Sequence, residues 1–338
     1  MKAIFLVRKG EPEKAFEIRE VNTPHPKDGQ VLIKVEGFGL NFADIVAREG
    51  MYRDAPPMPS VLGYDVVGKI EAFGDSVSGF TKGDRVAALT RFGGYAEYAV
   101  TDARAAVKIS NSVSVPEATA LCTQYGTAYY CAAIAANLHE GEKVIIHSAA
   151  GGVGTALMQY ALHKHCEVFA TTSSDSKINL LKQQGATHVI NTAKENFYRT
   201  IKNLSPNGVD VIFDALGGKF VKQGIKLLSP GGRIVCYGAS QMTGTTFLNR
   251  AKAALQFGFY HPAQFMMSSK SLLGVNMLKI ADEKPEALQY CLQDVMRLFN
   301  EGVFKPMAGK IFPAAEIANA HRYLQEKKAT GKVALTWD

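Results

Sequence analysis

The chain has 338 residues, 47% hydrophobic and 20% charged, enough apolar content for two buried cores and too ordered a composition for a disordered chain. No window approaches the roughly 18 apolar residues that a membrane-spanning helix needs. The formal net charge is +7, but the basic residues are scattered and no aromatic-interleaved basic run stands out, which argues against a nucleic-acid partner.

The opening stretch MKAIFLVRKGEPEKAFEIRE turns charged within a few residues. It reads as a β-strand rather than a secretory signal and sets the expectation of a cytoplasmic protein. Up to about Leu121 the chain consists of short β-branched runs cut by Gly, Pro and Asp: AIFLV, QVLIKVEGFGLN, DVVGKIEAFG, DRVAAL and GGYAEYAVT. This spacing predicts a small all-β, barrel-like domain. Within NFADIVAREGMY, Asp44 and Arg48 stand four apart, which predicts an ion pair on a helix surface.

From Cys122 the texture changes to strand and helix in alternation: EKVIIHSA, GVGTALMQYALHKH, CEVFATTS, SKINLLKQQG, THVINT, NFYRTIKNLS, VDVIFDAL, KFVKQGIKLL and GRIVCYG. Near-continuous apolar strands need both faces covered, so this predicts a doubly wound parallel sheet. The alternation breaks in a segment rich in Phe, Tyr and Met. Residues 241–267 of it suit a hydrophobic acyl or quinone pocket, a lid for a membrane or partner, or plain core or dimer packing. Helices over PEALQYCLQDVMRLFNEG and AAEIANAHRYLQEKKATG and a last strand KVALTW return the chain to the first domain. The expected division is 1–121 with 268–338, and 122–267.

The stretch AGGVG, Ala150, Gly151, Gly152, Val153 and Gly154, lies between a strand and an amphipathic helix. Its glycines let the backbone approach a diphosphate at the positive end of the helix dipole, so dinucleotide binding is expected. NAD binders place a carboxylate at the end of the second strand; here FATTSSDSK has Thr172 there, and Ser173, Ser174 and Lys177 could donate to a 2′-phosphate. NADP(H) is therefore the expected cofactor, although Ser174 also suits a helix cap and Asp175 opposes a phosphate. Gly217, in DALGG, and Gly238, closing the fifth strand, complete the expected cofactor set.

The five cysteines, Cys122, Cys131, Cys166, Cys236 and Cys291, form no CxxC pair and suit a reducing compartment. A catalytic zinc needs three protein ligands and an open position. Where a zinc alcohol dehydrogenase has a thiolate and then His and Glu, this chain has Asn41 and Gly63-Tyr64-Asp65, so no metal is expected. His147, His163 and His165 read as packing or surface residues.

Together NFADIVAREGMY, PSVLGYDVVGKI, GDRVAAL, GGYAEY, AAGGVG and DALGG resemble the zinc-independent quinone oxidoreductases of the medium-chain dehydrogenase/reductase superfamily. The stretches from SPNGVDVIFDALGG to LQEKKATGKVAL are more particularly similar to the synaptic vesicle protein VAT-1 branch. The resemblance implies a two-domain α/β fold, a GroES-like β-rich catalytic domain plus a Rossmann doubly wound parallel sheet, with NADPH binding and a homodimer. It also implies that Thr127 and Tyr129 approach the nicotinamide, and it finds Thr192 where relatives stack a Tyr on the adenosine. Without a metal, hydride transfer to a quinone or an enone is easier than to an isolated ketone, because charge moves to a distant oxygen that hydrogen-bond donors can hold. Asn41, Tyr52 and Tyr64 are the expected catalytic donors, with Asn41 also a cofactor contact. The rival expectation is an NADPH-binding, lipid- or membrane-associated protein with little turnover.

Overall fold

The computed structural model describes residues 1–240 and 255–337, so residues 241–254 of the aromatic and Met-rich segment lie outside the described residues. The chain divides into two compact units, Met1–Gly126 with Leu278–Glu301 and Pro306–Asp338, and Thr127–Met277 with Gly302–Lys305.

The first unit is built on β1 (Lys2–Leu6), β2 (Phe16–Glu20), β3 (Gln30–Gly39), β4 (Ser60–Val61), β5 (Asp65–Phe73), β6 (Arg85–Leu89), β7 (Tyr98–Asp102) and β8 (Ala106–Lys108), joined late in the chain by β15 (Ala308–Pro313) and β16 (Lys332–Thr336). A seven-stranded sheet runs β15-β16-β3-β5-β6-β8, with β7 also on β3, and a small sheet runs β2-β1-β4. Central β3 pairs antiparallel with β5, β7 and β16, with Ala334 opposite Gly39 and Val66 opposite Phe38. Side chains such as Ile33, Phe38, Val66, Val86 and Leu335 fill its core.

The second unit carries β9 (Lys143–Ile146), β10 (Glu167–Thr172), β11 (His188–Asn191), β12 (Val209–Asp214), β13 (Leu228–Cys236) and β14 (Ser271–Gly274). They form one sheet in the order β11-β10-β9-β12-β13-β14, every pairing parallel. Counted from β9 this is the 3-2-1-4-5-6 order of the Rossmann fold, whose switch point lies at β9. Helices Gly152–His163, Ile178–Gln183, Phe197–Leu204 and Lys219–Leu227 connect the first five strands, as the alternation predicts.

The boundaries move from those expected. Helix Val115–Ala120 packs on β3 and β16, and the wide turns Leu121–Tyr125 follow it, so the first unit runs to Gly126 rather than Leu121. Ser271–Gly274 hydrogen-bonds to β13, which carries the second unit past residue 268 to Met277. Helix packing decides the first case and a backbone ladder the second, and neither is visible in composition.

Candidate functional site

In the first unit the chain leaves β3 at Gly39 and enters helix Phe42–Arg48 with Asn41 at its N-cap, where the extended backbone (φ −121°, ψ 156°) aims the side chain inward. Asn41 is 8% exposed. Its Nδ2 donates to Asp65 Oδ2 at 2.7 Å, and Lys332 Nζ donates to Asn41 Oδ1 at 2.8 Å and to Asp65 Oδ2 at 2.7 Å. Asp65 opens β5 and Lys332 opens β16, so the antiparallel partners of β3 bring both ends to Asn41. Gly39 makes the space: a Cβ there would overlap Asp65 Oδ1 and Lys332 Cε and stand 2.8 Å from Lys332 Nζ.

Asp44 Oδ2 accepts from the Asn41 backbone N–H at 2.8 Å, and Asp44 is fully buried. Burial pushes its carboxyl up to about 8; the Asp65 charge acts in the same direction, against the Asn41 N–H bond and the Lys332 charge. The expected surface ion pair with Arg48 does not form. Arg48 is also buried, and its guanidinium donates to Gly10 O and Gln325 Oε1. Spacing of four places two side chains on one helix face but does not make that face a surface, and this helix is packed into the interior.

Tyr64 is buried and Tyr52 half-buried, their rings edge-on with centroids 6.0 Å apart. Burial raises both phenols above their ordinary range, so each keeps its proton and has an O–H to offer. Asn41, Asp44, Asp65 and Lys332 thus form one buried polar cluster, with Tyr52 and Tyr64 making a second group of donors.

In the second unit, Gly151 caps helix Gly152–His163 with no side-chain hydrogen bond, which leaves the first N–H groups of the helix to a ligand. Gly154 is tight against the turn: a Cβ would lie 2.5 Å from Ser148 O and 2.7 Å from Ala149 Cα. Ala150 is buried and Val153 half-buried beside them. This bare, glycine-lined helix start after the first strand fits a dinucleotide diphosphate, which is the chemistry a nicotinamide cofactor presents there. Gly217 follows β12 with φ +77°, a conformation glycine adopts without strain, and a Cβ there would meet Phe257 Cζ at 2.5 Å. Gly238 is exposed just past β13.

At the end of β10, Thr172 is buried and its Oγ1 accepts from Ser174 N, while Ser173 is exposed and Ser174 Oγ bonds Ser176 Oγ at 2.8 Å. Lys177 is half-buried at the end of the short turn Asp175–Lys177. Ser174 precedes that turn without a side-chain capping bond. Asp175 is turned to Lys194 at 2.6 Å and Asn191 Nδ2 at 2.7 Å, and the Lys194 bond holds its carboxyl below the usual range. Thr192 donates through its backbone N–H and its hydroxyl to Thr172 O. Thr127 and Tyr129 sit on the turn Gly126–Tyr129 between two π-helical stretches, Leu121–Tyr125 and Tyr130–Ala135, a distortion frequent at functional sites. Tyr129 packs edge-on against Tyr160.

His147 is fully buried between Phe197 and Phe220, its Nδ1 3.0 Å from Thr171 Oγ1, and burial pushes it down to about 3. It is a neutral packing residue, as expected. His163 and His165 are exposed.

The chain matches the family described as alcohol dehydrogenase GroES-like domain over residues 27–111 and that described as zinc-binding dehydrogenase over residues 152–293. The synaptic vesicle membrane protein VAT-1 homolog of Rattus norvegicus is 35% identical over 324 residues, 95% of this chain and 80% of the relative. The quinone oxidoreductase of Homo sapiens is 32% identical over 338 residues, 99% of this chain and 97% of the relative. The chain belongs to the zinc-independent quinone oxidoreductase family of the medium-chain dehydrogenases and reductases, near the VAT-1 homologs. Among solved structures, a mycobacterial protein complexed with NADPH superposes on this medium-chain oxidoreductase with a TM-score of 0.86 at 26% identity, covering 99% of each chain. The family fold and the glycine-lined turn together make it an oxidoreductase that takes a nicotinamide cofactor and a small-molecule substrate.

One family description carries the word zinc, and the residues of this oxidoreductase do not fit the metal. Asn41, Tyr64 and Asp65 offer one carboxylate, and the Lys332 ammonium already lies against it. Among the described residues no group of three or more His, Cys, Asp or Glu could hold a metal ion. Lys332 and Gly39 were not singled out in the sequence; the available signal was a lone Lys opening the apolar run KVALTW.

Proposed function

We propose that the protein is an NADPH-dependent, metal-free reductase of quinones or α,β-unsaturated carbonyls. The observation that carries the reading is the Asn41 amide, held by Asp65 and Lys332 at the position where a zinc enzyme has a metal ligand that would help polarise a carbonyl. NADPH supplies a hydride when bound. Asn41, with the protonated Tyr52 and Tyr64, offers neutral N–H and O–H donors for the charge that collects on the acceptor oxygen, which suffices for a conjugated acceptor and falls short for an isolated ketone. Preference for NADPH is supported by Thr172 in place of a carboxylate, by Ser173, Ser174 and Lys177, and by the diversion of Asp175 onto Lys194, which removes a repulsive charge.

The test is oxidation of NADPH against quinones, enones, and saturated aldehydes and ketones. Turnover with the first two and little with the last is expected; equal rates on saturated ketones would refute the metal-free argument. A second reading, a lipid- or membrane-associated NADPH-binding protein, is favoured by one observation: Phe259, Met266 and Met267 are 90%, 76% and 84% exposed. No described helix is long and apolar enough to cross a membrane, so such association would be peripheral. Failure to oxidise NADPH with any acceptor, combined with cosedimentation with lipid vesicles, would favour it. We further propose a homodimer, supported by the open edge of β14 among the described residues, and a cytoplasmic location, supported by five free cysteines.

A further inference from the structure

The Lys332–Asp65 pair is hard to explain as a stabilising feature. Both side chains are 0% exposed. Two buried ions lose solvation, and their attraction repays that loss only where the remaining hydrogen bonds are complete. Here they are not, because Asp65 takes both donors on Oδ2 and its Oδ1 has no partner. An apolar pair of similar volume would often be as stable. Gly39, whose missing side chain admits both groups, shows that the space is built for them.

What the pair does is fix one amide. An ammonium has only donors, so the Asn41 atom facing Lys332 is the oxygen; a carboxylate has only acceptors, so the atom facing Asp65 is the nitrogen. Turning the amide over would set N–H against ammonium and carbonyl against carboxylate. The three contacts, 2.8 Å from Lys332 to Asn41, 2.7 Å from Lys332 to Asp65 and 2.7 Å from Asn41 to Asp65, close a ring. That ring uses the N–H on the oxygen side of the amide, so the second N–H of Nδ2 projects away from the ion pair. The backbone of the same residue is tied down by Asp44.

We propose that Lys332 and Asp65 are positioning residues that lock the Asn41 amide in one orientation, presenting its outer N–H as a fixed donor to the oxygen of the substrate. Asn41 and Asp65 fall at positions where a zinc alcohol dehydrogenase has metal ligands, and the ion pair supplies order there in place of coordination. This rests on the reading of Asn41 given above.

The test uses the full chain with ¹⁵N-labelled asparagine, the Asn41 side-chain signals being assigned by their loss in Asn41→Ala. Two paired variants remove the lock without stranding a buried charge: Lys332→Met with Asp65→Leu, and the near-isosteric Lys332→Met with Asp65→Asn in case the first folds poorly. In the parent the two amide proton signals should be well separated; in the paired variants they should collapse toward those of a free side chain. With a quinone the parent reduces, Asn41→Ala should lower kcat by roughly 100-fold. A paired variant should lose a similar factor with a smaller change in KM, and adding Asn41→Ala to it should cost nothing more, since the groups act as one unit. Unchanged amide signals in both paired variants would overturn the proposal, as would collapsed signals with parental kcat. If Asn41→Ala alone keeps full kcat, the donor role of Asn41 falls, a result that the amide signals separate from failure of the lock itself.

Discussion

Replacing Asp44 by Asn tests the electrostatics of the buried cluster directly. The carboxyl accepts the Asn41 N–H in a fully buried position, and its pKa is raised from 3.8 to about 8, chiefly by burial. Between those values the folded chain holds a proton that the unfolded chain has released. The contribution of Asp44 to stability is therefore full below about pH 4 and is lost as pH rises toward 8, at about 1.4 kcal/mol per pH unit. An Asn keeps an oxygen for the Asn41 N–H and has nothing to titrate. Relative to the parent, Asp44→Asn should gain about 4 kcal/mol between pH 5 and pH 8, an upper value because the cluster can relax or admit water. Urea unfolding at a series of pH values reads this, followed by fluorescence of Trp337, the single tryptophan, which packs on the core of the same unit. A stability difference that stays flat with pH, or a parent that gains on the variant as pH rises, would show that Asp44 is ionised and refute the reasoning.

Lys177→Ala should weaken NADPH by about 1.5–3 kcal/mol, the worth of a charge-assisted bond, and leave NADH nearly untouched; equal losses in fluorescence titrations with the two cofactors would count against a phosphate contact. Gly154→Ala places a methyl group against two backbone atoms that cannot step aside, so it should cost about 1–3 kcal/mol of stability in the second unit and weaken both cofactors alike. Unaltered circular-dichroism melting together with parental affinities would contradict that packing argument.

The sequence by itself determined the fold class, because its signals are local. Apolar runs of strand length separated by amphipathic helices leave few solutions other than a parallel sheet covered on both faces, and AAGGVG falls where the first strand of that sheet must turn into a helix. The departure from a zinc site was equally legible, since the positions where a zinc alcohol dehydrogenase has Cys, His and Glu read Asn41, Tyr64 and Asp65 here. Tertiary structure alone decided what stands together in its place. Asn41, Asp65 and Lys332 are separated by 24 and 267 residues, and only the antiparallel ladders of β5 and β16 on β3 bring them within hydrogen-bond distance. The same burial reversed the reading of Asp44 and Arg48. Four-residue spacing is a property of the helix, whereas solvation depends on what packs against it, and for this helix that comes from the loop at Gly10 and the helix Ile317–Gln325, far away in the chain.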